Sequence, residues 1–314
     1  MHPVHSFRVA IHRTATVAML TVLSLTLACG AGCGGTKKAP LTVAQRLERA
    51  RKQKTPELQS RELVRVGRYQ LQQGDRTGAA KTLSEARGLL PKEGDAMLIA
   101  PRTLEVAALF AEMGEKATAR GVLEEVVTIA GTMSDPVGKT ILLAEAGGIY
   151  GTGPTGVGDA GKARATLTDA AAVAETVDAR FRSQALAAVA LGYAEAGLLD
   201  DAKAMVEALE TSARAVEEPR PRAEALAAAA NVRGRGGDGD AARALLKEAA
   251  EAAAGIEGSE NKAYALLAVA KATAAAGDAE GAAKLLAKAD EAARKVPDPE
   301  AQRTAREKIV AAKK

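Results

Sequence analysis

Residues 156–162 read Gly-Val-Gly-Asp-Ala-Gly-Lys, the spacing G-x-x-x-x-G-K of a phosphate-cradling loop. In such a loop the backbone N–H groups and the N-terminus of the next helix converge on phosphate. Lys162 would reach the outer phosphates, and a following Ser or Thr would hold magnesium. Here the following residue is Ala163. A second cluster, Gly234-Arg-Gly236-Gly-Asp-Gly239, fits the dinucleotide spacing G-x-G-x-x-G. Both chemistries need a strand ahead of the loop, yet the segments ahead, Leu142–Tyr150 and residues 223–232 (AEALAAAANV), read as helix. Nucleotide binding through 156–162 is therefore the minor alternative.

The rest of the chemical inventory is thin. His2, His5 and His12 are the only histidines, and Cys29 and Cys33 the only cysteines. Beyond residue 33 the chain has no imidazole or thiol for acid–base catalysis, for a nucleophilic dyad or for the usual zinc sites. The expectation is a protein that is not an enzyme, with no cofactor, no metal and no small-molecule substrate.

The first 33 residues stand apart. Arg8 and Arg13 lie in an acid-free start, and Thr14–Ala28 is an uncharged, mostly apolar run. That run is short for a membrane span, which takes about 20 residues, and has the length of a signal-peptide core. Ala28-Cys29-Gly-Ala-Gly-Cys33-Gly-Gly follows. This resembles a bacterial lipoprotein signal, in which a cysteine after small residues is acylated; Cys29 and Cys33 are both candidates. The resemblance implies a lipid anchor in the bacterial cell envelope, facing periplasm or exterior, with simple secretion and an uncleaved anchor as alternatives. Residues 34–41 (GGTKKAPL) read as a tether.

Composition indicates what the remainder builds. The chain is 47% hydrophobic but only 2% aromatic, and it has no Trp. Its apolar mass is mostly Ala, Leu and Val; Ala and Leu favour helix, and Ala lets helices approach closely. Residues 1–28 hold two of the 43 basic residues and none of the 39 acidic ones, so the rest is nearly neutral. No nucleic-acid partner is expected.

The positioning elements emerge from a repeat. Glycine, usually followed by an acid, recurs at Gly74, Gly114, Gly158, Gly197, Gly237 and Gly277, at spacings of 40, 44, 39, 40 and 40. Five residues after each comes Ala79, Ala119, Ala163, Ala202, Ala242 or Ala282, and nine after comes Leu83, Leu123, Leu167, Val206, Leu246 or Leu286. Seven before sits a small residue, among them Gly67, Ala107, Ala190, Ala230 and Ala270. The third unit joins this register once four residues are inserted before Gly158. Positions −11, −8, −7 and −4 share one helix face, and +5, +9 and +12 share a face of a second helix. The glycine supplies left-handed backbone between them, and each unit completes its core on its neighbours.

Leu186-x-x-Val189-Ala190-x-x-Tyr193-x-x-x-Gly197-x-x-x-x-Ala202 resembles the tetratricopeptide repeat. The likeness covers about 58–300, with units of 40 residues rather than the family's ~34. It implies an all-α, right-handed α-solenoid of antiparallel helix hairpins. The expected layout is an N-terminal capping helix over 42–57, six units over 58–300 and a C-terminal capping helix over 301–314.

In that family the first helices line a concave groove for a protein or peptide partner. The matching positions here include Arg61, Arg65, Arg68, Leu191, Asn231, Tyr264, Leu267 and Lys271. Where some members carry a carboxylate-gripping Lys, this chain has Val64, Leu104, Ala144, Ala187, Ala227 and Leu267, so that mode is not expected. Arg61, Arg65 and Arg68 share a helix face in a basic stretch, which would suit a solvated cap, anionic lipid beside the anchor or an acidic partner. The resulting reading is a non-catalytic protein-interaction scaffold anchored in the envelope. The alternative is a structural subunit of an envelope assembly or secretion complex, engaged through its ends or outer side.

Overall fold

The computed structural model describes residues 41–91 and 94–313. The leader, Cys29, Cys33 and residues 34–40 of the tether lie outside them. Among the described residues there are fourteen α-helices and no strand. Six antiparallel pairs follow in sequence. They are α2 (Pro56–Gln72) with α3 (Arg76–Gly88), α4 (Ala96–Glu112) with α5 (Lys116–Gly131), and α6 (Pro136–Tyr150) with α7 (Ala160–Glu175). Then come α8 (Ala179–Glu195) with α9 (Leu199–Ala215), α10 (Pro219–Arg235) with α11 (Gly239–Ala254), and α12 (Ser259–Ala275) with α13 (Ala279–Arg294). Helix α1 (Val43–Arg51) covers α2, and α14 (Pro299–Ala311) covers α12 and α13. The chain is an all-α solenoid of helix hairpins.

The turn chemistry explains the period. Gly74, Gly114, Gly158, Gly197, Gly237 and Gly277 all have φ between +79° and +87°, where a Cβ is penalised. The residue after each glycine donates its N–H to a carbonyl in the last turn of the first helix. Asp75 to Gln70, Glu115 to Phe110 and Leu198 to Tyr193 are all 2.9 Å, while Asp238 to Arg233 is 3.0 Å and Asp278 to Thr273 is 3.1 Å. This bond closes a helix C-terminus through a left-handed glycine. The acid of the Gly-acid pair then starts the second helix. The carboxylates of Asp75, Asp159, Asp238 and Asp278 accept from the N–H three residues on, at 2.8, 3.0, 3.2 and 2.8 Å. Glu115 and Leu198 stand at the same place without a side-chain cap bond.

Small residues set the spacing of the helices within and between hairpins. The six alanines five residues after the glycines are 4% exposed or less. A Cβ on Gly147 would lie 2.5 Å from Leu167 Cγ, and one on Gly192 would lie 2.6 Å from the Ala144 carbonyl oxygen. The first of these approaches joins α6 to α7, and the second joins α6 to α8.

First helices stack on first helices from α2 to α14, and each second helix also touches the following first helix. Successive second helices essentially do not pack on one another. Rows that close up on one side and spread on the other leave the first-helix side concave. Across the spread side run ion pairs: Arg51 with Glu85 at 2.7 Å, Arg87 with Glu125, Glu124 with Lys162 at 2.6 Å, Arg164 with Asp201 at 2.8 Å and Arg214 with Glu248 at 3.3 Å. Exposed pairs of this kind contribute at most about 1 kcal/mol each.

The third turn carries the insertion expected before Gly158, with Tyr150 in the register of Tyr193. Helix α6 stops at Tyr150, and Gly158 lies at the far end of a loop. The closing bond survives, since the Asp159 N–H still donates to the Tyr150 carbonyl at 2.7 Å. The inserted residues bulge out inside that bond.

Candidate partner-binding groove

A groove of about 530 Å³ runs along the concave side over three first helices. Helix α4 contributes Leu104, Glu105 and Ala108, helix α6 contributes Ile141, Ala144, Glu145 and Ile149, and helix α8 contributes Gln184, Ala188, Leu191, Gly192 and Glu195. A second hollow of about 660 Å³ shares Gln184 and Leu191 and continues over Glu224 and Ala228 of α10 to Asn261 of α12. The floor is apolar because the repeat places small or aliphatic residues on this face, and the first helices are close because Gly192 meets Ala144 backbone to backbone.

The carboxylates of the groove fall into two kinds. Glu105 accepts from Arg68 and Arg102, both at 2.9 Å, and Glu224 accepts from Arg220 at 2.9 Å. Glu145 and Glu195 have no ion-pair partner within 4 Å among the described residues. Burial against the carbon-rich wall pushes the Glu145 carboxyl above its ordinary range, and the neighbouring Glu195 charge adds to this. Burial likewise pushes Glu195 up, while Arg235 pulls the other way. Both side chains keep a solvent-facing side, so the shift comes from the crowded wall and not from enclosure.

The residues singled out from sequence are spread along the first-helix side. Leu191 forms groove floor. Arg68 reaches across to α4 through Glu105. Arg61 and Arg65 both face Glu62, at 3.5 and 2.8 Å, toward the α1 end. Asn231 accepts from Arg235 Nε at 2.9 Å. Tyr264 lies between Arg220 and Lys308, each 5.0 Å from its ring centre. Lys271 is exposed on α12.

Leu267 requires a correction, because it is 5% exposed and belongs to the core. It sits ten residues before its glycine, in register with Val64, Leu104, Ala144 and Ala227, which are also buried. Leu104 and Ala144 at that position show only an edge to the groove, and Leu267 lines neither hollow.

Glu145 and Glu195 were missed from sequence. Glu145 occupies the register position of Arg65 and Glu105, nine residues before the turn glycine once the insertion is allowed for, and that signal was available. The placement of Glu195 depends on the close α6–α8 approach, which no local pattern announces.

Neither glycine-rich pattern forms a phosphate site. Helix α6, not a strand, precedes residues 156–162. The Asp159 carboxylate occupies the N-terminus of α7, and Lys162 Nζ donates to Glu124 at 2.6 Å. The loop is stitched to the next hairpin by Thr152, whose N–H donates to the Ala196 carbonyl at 2.9 Å. Residues 234–239 span the end of α10 and the Asp238-capped start of α11. A depression of about 780 Å³ between α8 and α9 is lined by Glu175, Glu207 and Arg182; Arg182 already donates to the Val177 carbonyl at 3.2 Å. Among the described residues no group of three or more His, Cys, Asp or Glu is placed to hold a metal, and no helix is long and apolar enough to cross a membrane.

No protein-family profile matches the chain, and no curated protein does. Solved structures similar to it include a Rap protein complexed with competence and sporulation factor, at 14% identity over 85% of this chain and 78% of that one, TM-score 0.39. A putative kinesin light chain with nearly identical TPR-like repeats from Podosopora anserina is similar at 16% identity over 76% and 97%, TM-score 0.36. Ton1535 from Thermococcus onnurineus NA1 is similar at 12% identity over 84% and 94%, TM-score 0.41. Likenesses this distant carry no inference for this chain. The fold stands on its own helices, an all-α solenoid of antiparallel hairpins with one concave side.

Proposed function

We propose that this chain is a non-catalytic scaffold whose concave groove takes a segment of another protein, and that residues 1–33 deliver it to the bacterial envelope as a lipid-anchored protein. The observation that supports the first part is the apolar groove floor of Ile141, Ile149 and Leu191, left facing solvent by the first-helix stack. Helix solenoids use such extended concave surfaces for binding. The second part is supported by the leader pattern alone, an acid-free start followed by an apolar run and Cys29 or Cys33.

A photo-crosslinking residue placed at Leu191, with Lys247 on the outer row as control, tests the binding reading in envelope extract. Adducts to a discrete protein are expected from position 191 only. Adducts from 247 alone would move the contact to the outer face and favour a structural subunit of an envelope complex. The mass of the mature N-terminus tests the anchor: a diacylated cysteine at 29 or 33 supports it, and an unmodified N-terminus overturns it.

A further inference from the structure

The groove contains two carboxylates with no ion-pair partner among the described residues. Along the groove and the adjoining hollow, Glu105 and Glu224 are each matched by arginine from the same or a neighbouring helix. Glu145 and Glu195 are not; in the register of Glu145 only the first unit carries a cation, Arg65. Arg235 is near enough for its charge to reach Glu195, yet its Nε is committed to Asn231.

Close helix contacts bring the two carboxylates into one neighbourhood. The Glu195 side chain lies along Gly148 of the adjacent helix, so that a Cβ there would come 3.1 Å from Glu195 Oε2 and 3.3 Å from its Cβ. Gly192, one turn earlier on α8, rests on the Ala144 carbonyl, which precedes Glu145. Glycines at 148 and 192 thus bring a carboxylate from each of two helices to one stretch of groove, over a floor of Ile141, Ile149, Ala188 and Leu191.

Resting on the groove reading above, we propose that the segment bound here is a peptide stretch of a partner protein carrying a lysine or arginine between aliphatic residues, its cation seated between Glu145 and Glu195. A long basic side chain suits both parts of the surface, since its methylene stem packs on apolar groups while its head pairs with carboxylates. A bare metal ion does not suit it. Calcium takes six to eight oxygen ligands, and among the described residues no third acid, His or Cys joins these two in a metal-holding group. The raised carboxyl pKa values agree with a site that gains when a cation arrives.

A random dodecapeptide display library panned on the immobilised chain tests this, with E145Q/E195Q and Leu191→Arg as companions and far-UV circular dichroism as the check of folding. Leu191→Arg blocks the floor; E145Q/E195Q removes the charges and keeps the shape. The expected result is a set of peptides with Lys or Arg flanked by aliphatic residues. These should lose all binding to Leu191→Arg, weaken about tenfold or more on E145Q/E195Q, and weaken likewise when the lysine is acetylated. Peptides blocked by Leu191→Arg but indifferent to E145Q/E195Q and free of basic residues would overturn the cation site and leave the groove standing. Selection of no peptide sensitive to Leu191→Arg would overturn both.

Discussion

Glu195 lies close against α6 where residue 148 is glycine, and Gly192 lets α8 sit on the Ala144 carbonyl beside Glu145. Both carboxyls are pushed above the ordinary value of 4.5, chiefly by burial. The folded chain therefore holds more protons than the unfolded one between 4.5 and the raised values, so stability falls as pH rises through that window and the penalty persists above it. Urea titrations should show E145Q/E195Q more stable than the parent at pH 8, with the difference shrinking toward pH 4.5. A parent that is the more stable at pH 8 would remove the idea that these charges are strained in the free protein. Glycine at a turn plays a different part. A Cβ on Gly74 would meet nothing within 4 Å, so its only constraint is the positive φ of 79°.

Helices here begin and end by local rules. Proline opens α2, α6, α10 and α14 at the first or second position, where its missing N–H costs nothing. Aspartate caps four of the second helices, and where the third helical residue is glycine the cap bond is shortest: 2.8 Å at Gly78 and Gly281 against 3.0 Å at Lys162 and 3.2 Å at Ala241. A Cβ at 78 or 281 would crowd the capping carboxylate. Asp278→Ala should lower the unfolding free energy by about 1 kcal/mol, with Asp278→Asn retaining most of it. Glu115→Ala, at a turn without a cap bond, should change it by less than about 0.5 kcal/mol. Chemical denaturation of the three variants checks this, and equal losses at 278 and 115 would mean that the caps do not act as described. The alternation of glycine, acid, alanine and leucine made these helices legible in sequence. The enlarged loop after α6 was legible as an insertion, but its path was not, because a closing bond from Asp159 to Tyr150 tolerates any loop that returns to the same place.

At the scale of the whole molecule the chain is a one-dimensional array. First helices carry the direct stacking, second helices are linked by ion pairs, and α1 and α14 cover the two ends. Excision of Asp238–Gly277, one period of 40 residues, would join Gly237 to Asp278 in register. The shortened chain should keep its helical signal per residue and melt cooperatively at a somewhat lower temperature, as nearest-neighbour arrays do. Removing only Asp238–Glu257 would place a first-type helix where a second-type belongs, and should abolish cooperative melting. Calorimetry and circular dichroism on the two deletions distinguish these outcomes; equal tolerance of both would argue against a register-bound core.

The amino-acid sequence by itself determined the helical class, the period, the turn glycines and the residues that must be buried, because these depend on backbone geometry and apolar spacing within about a dozen residues. It also placed Leu191 on the concave side. Which carboxylates of that side meet a cation was decided by tertiary structure. Arg68 and Glu105 lie 37 residues apart. Whether a charge finds its opposite across neighbouring units depends on how closely the helices stack. Leu267 became core and Glu145 and Glu195 became the open charges of the groove for that one reason. Helix-to-helix distance, set by glycine and alanine at the contacts, fixes which side chains are covered and which are left facing out.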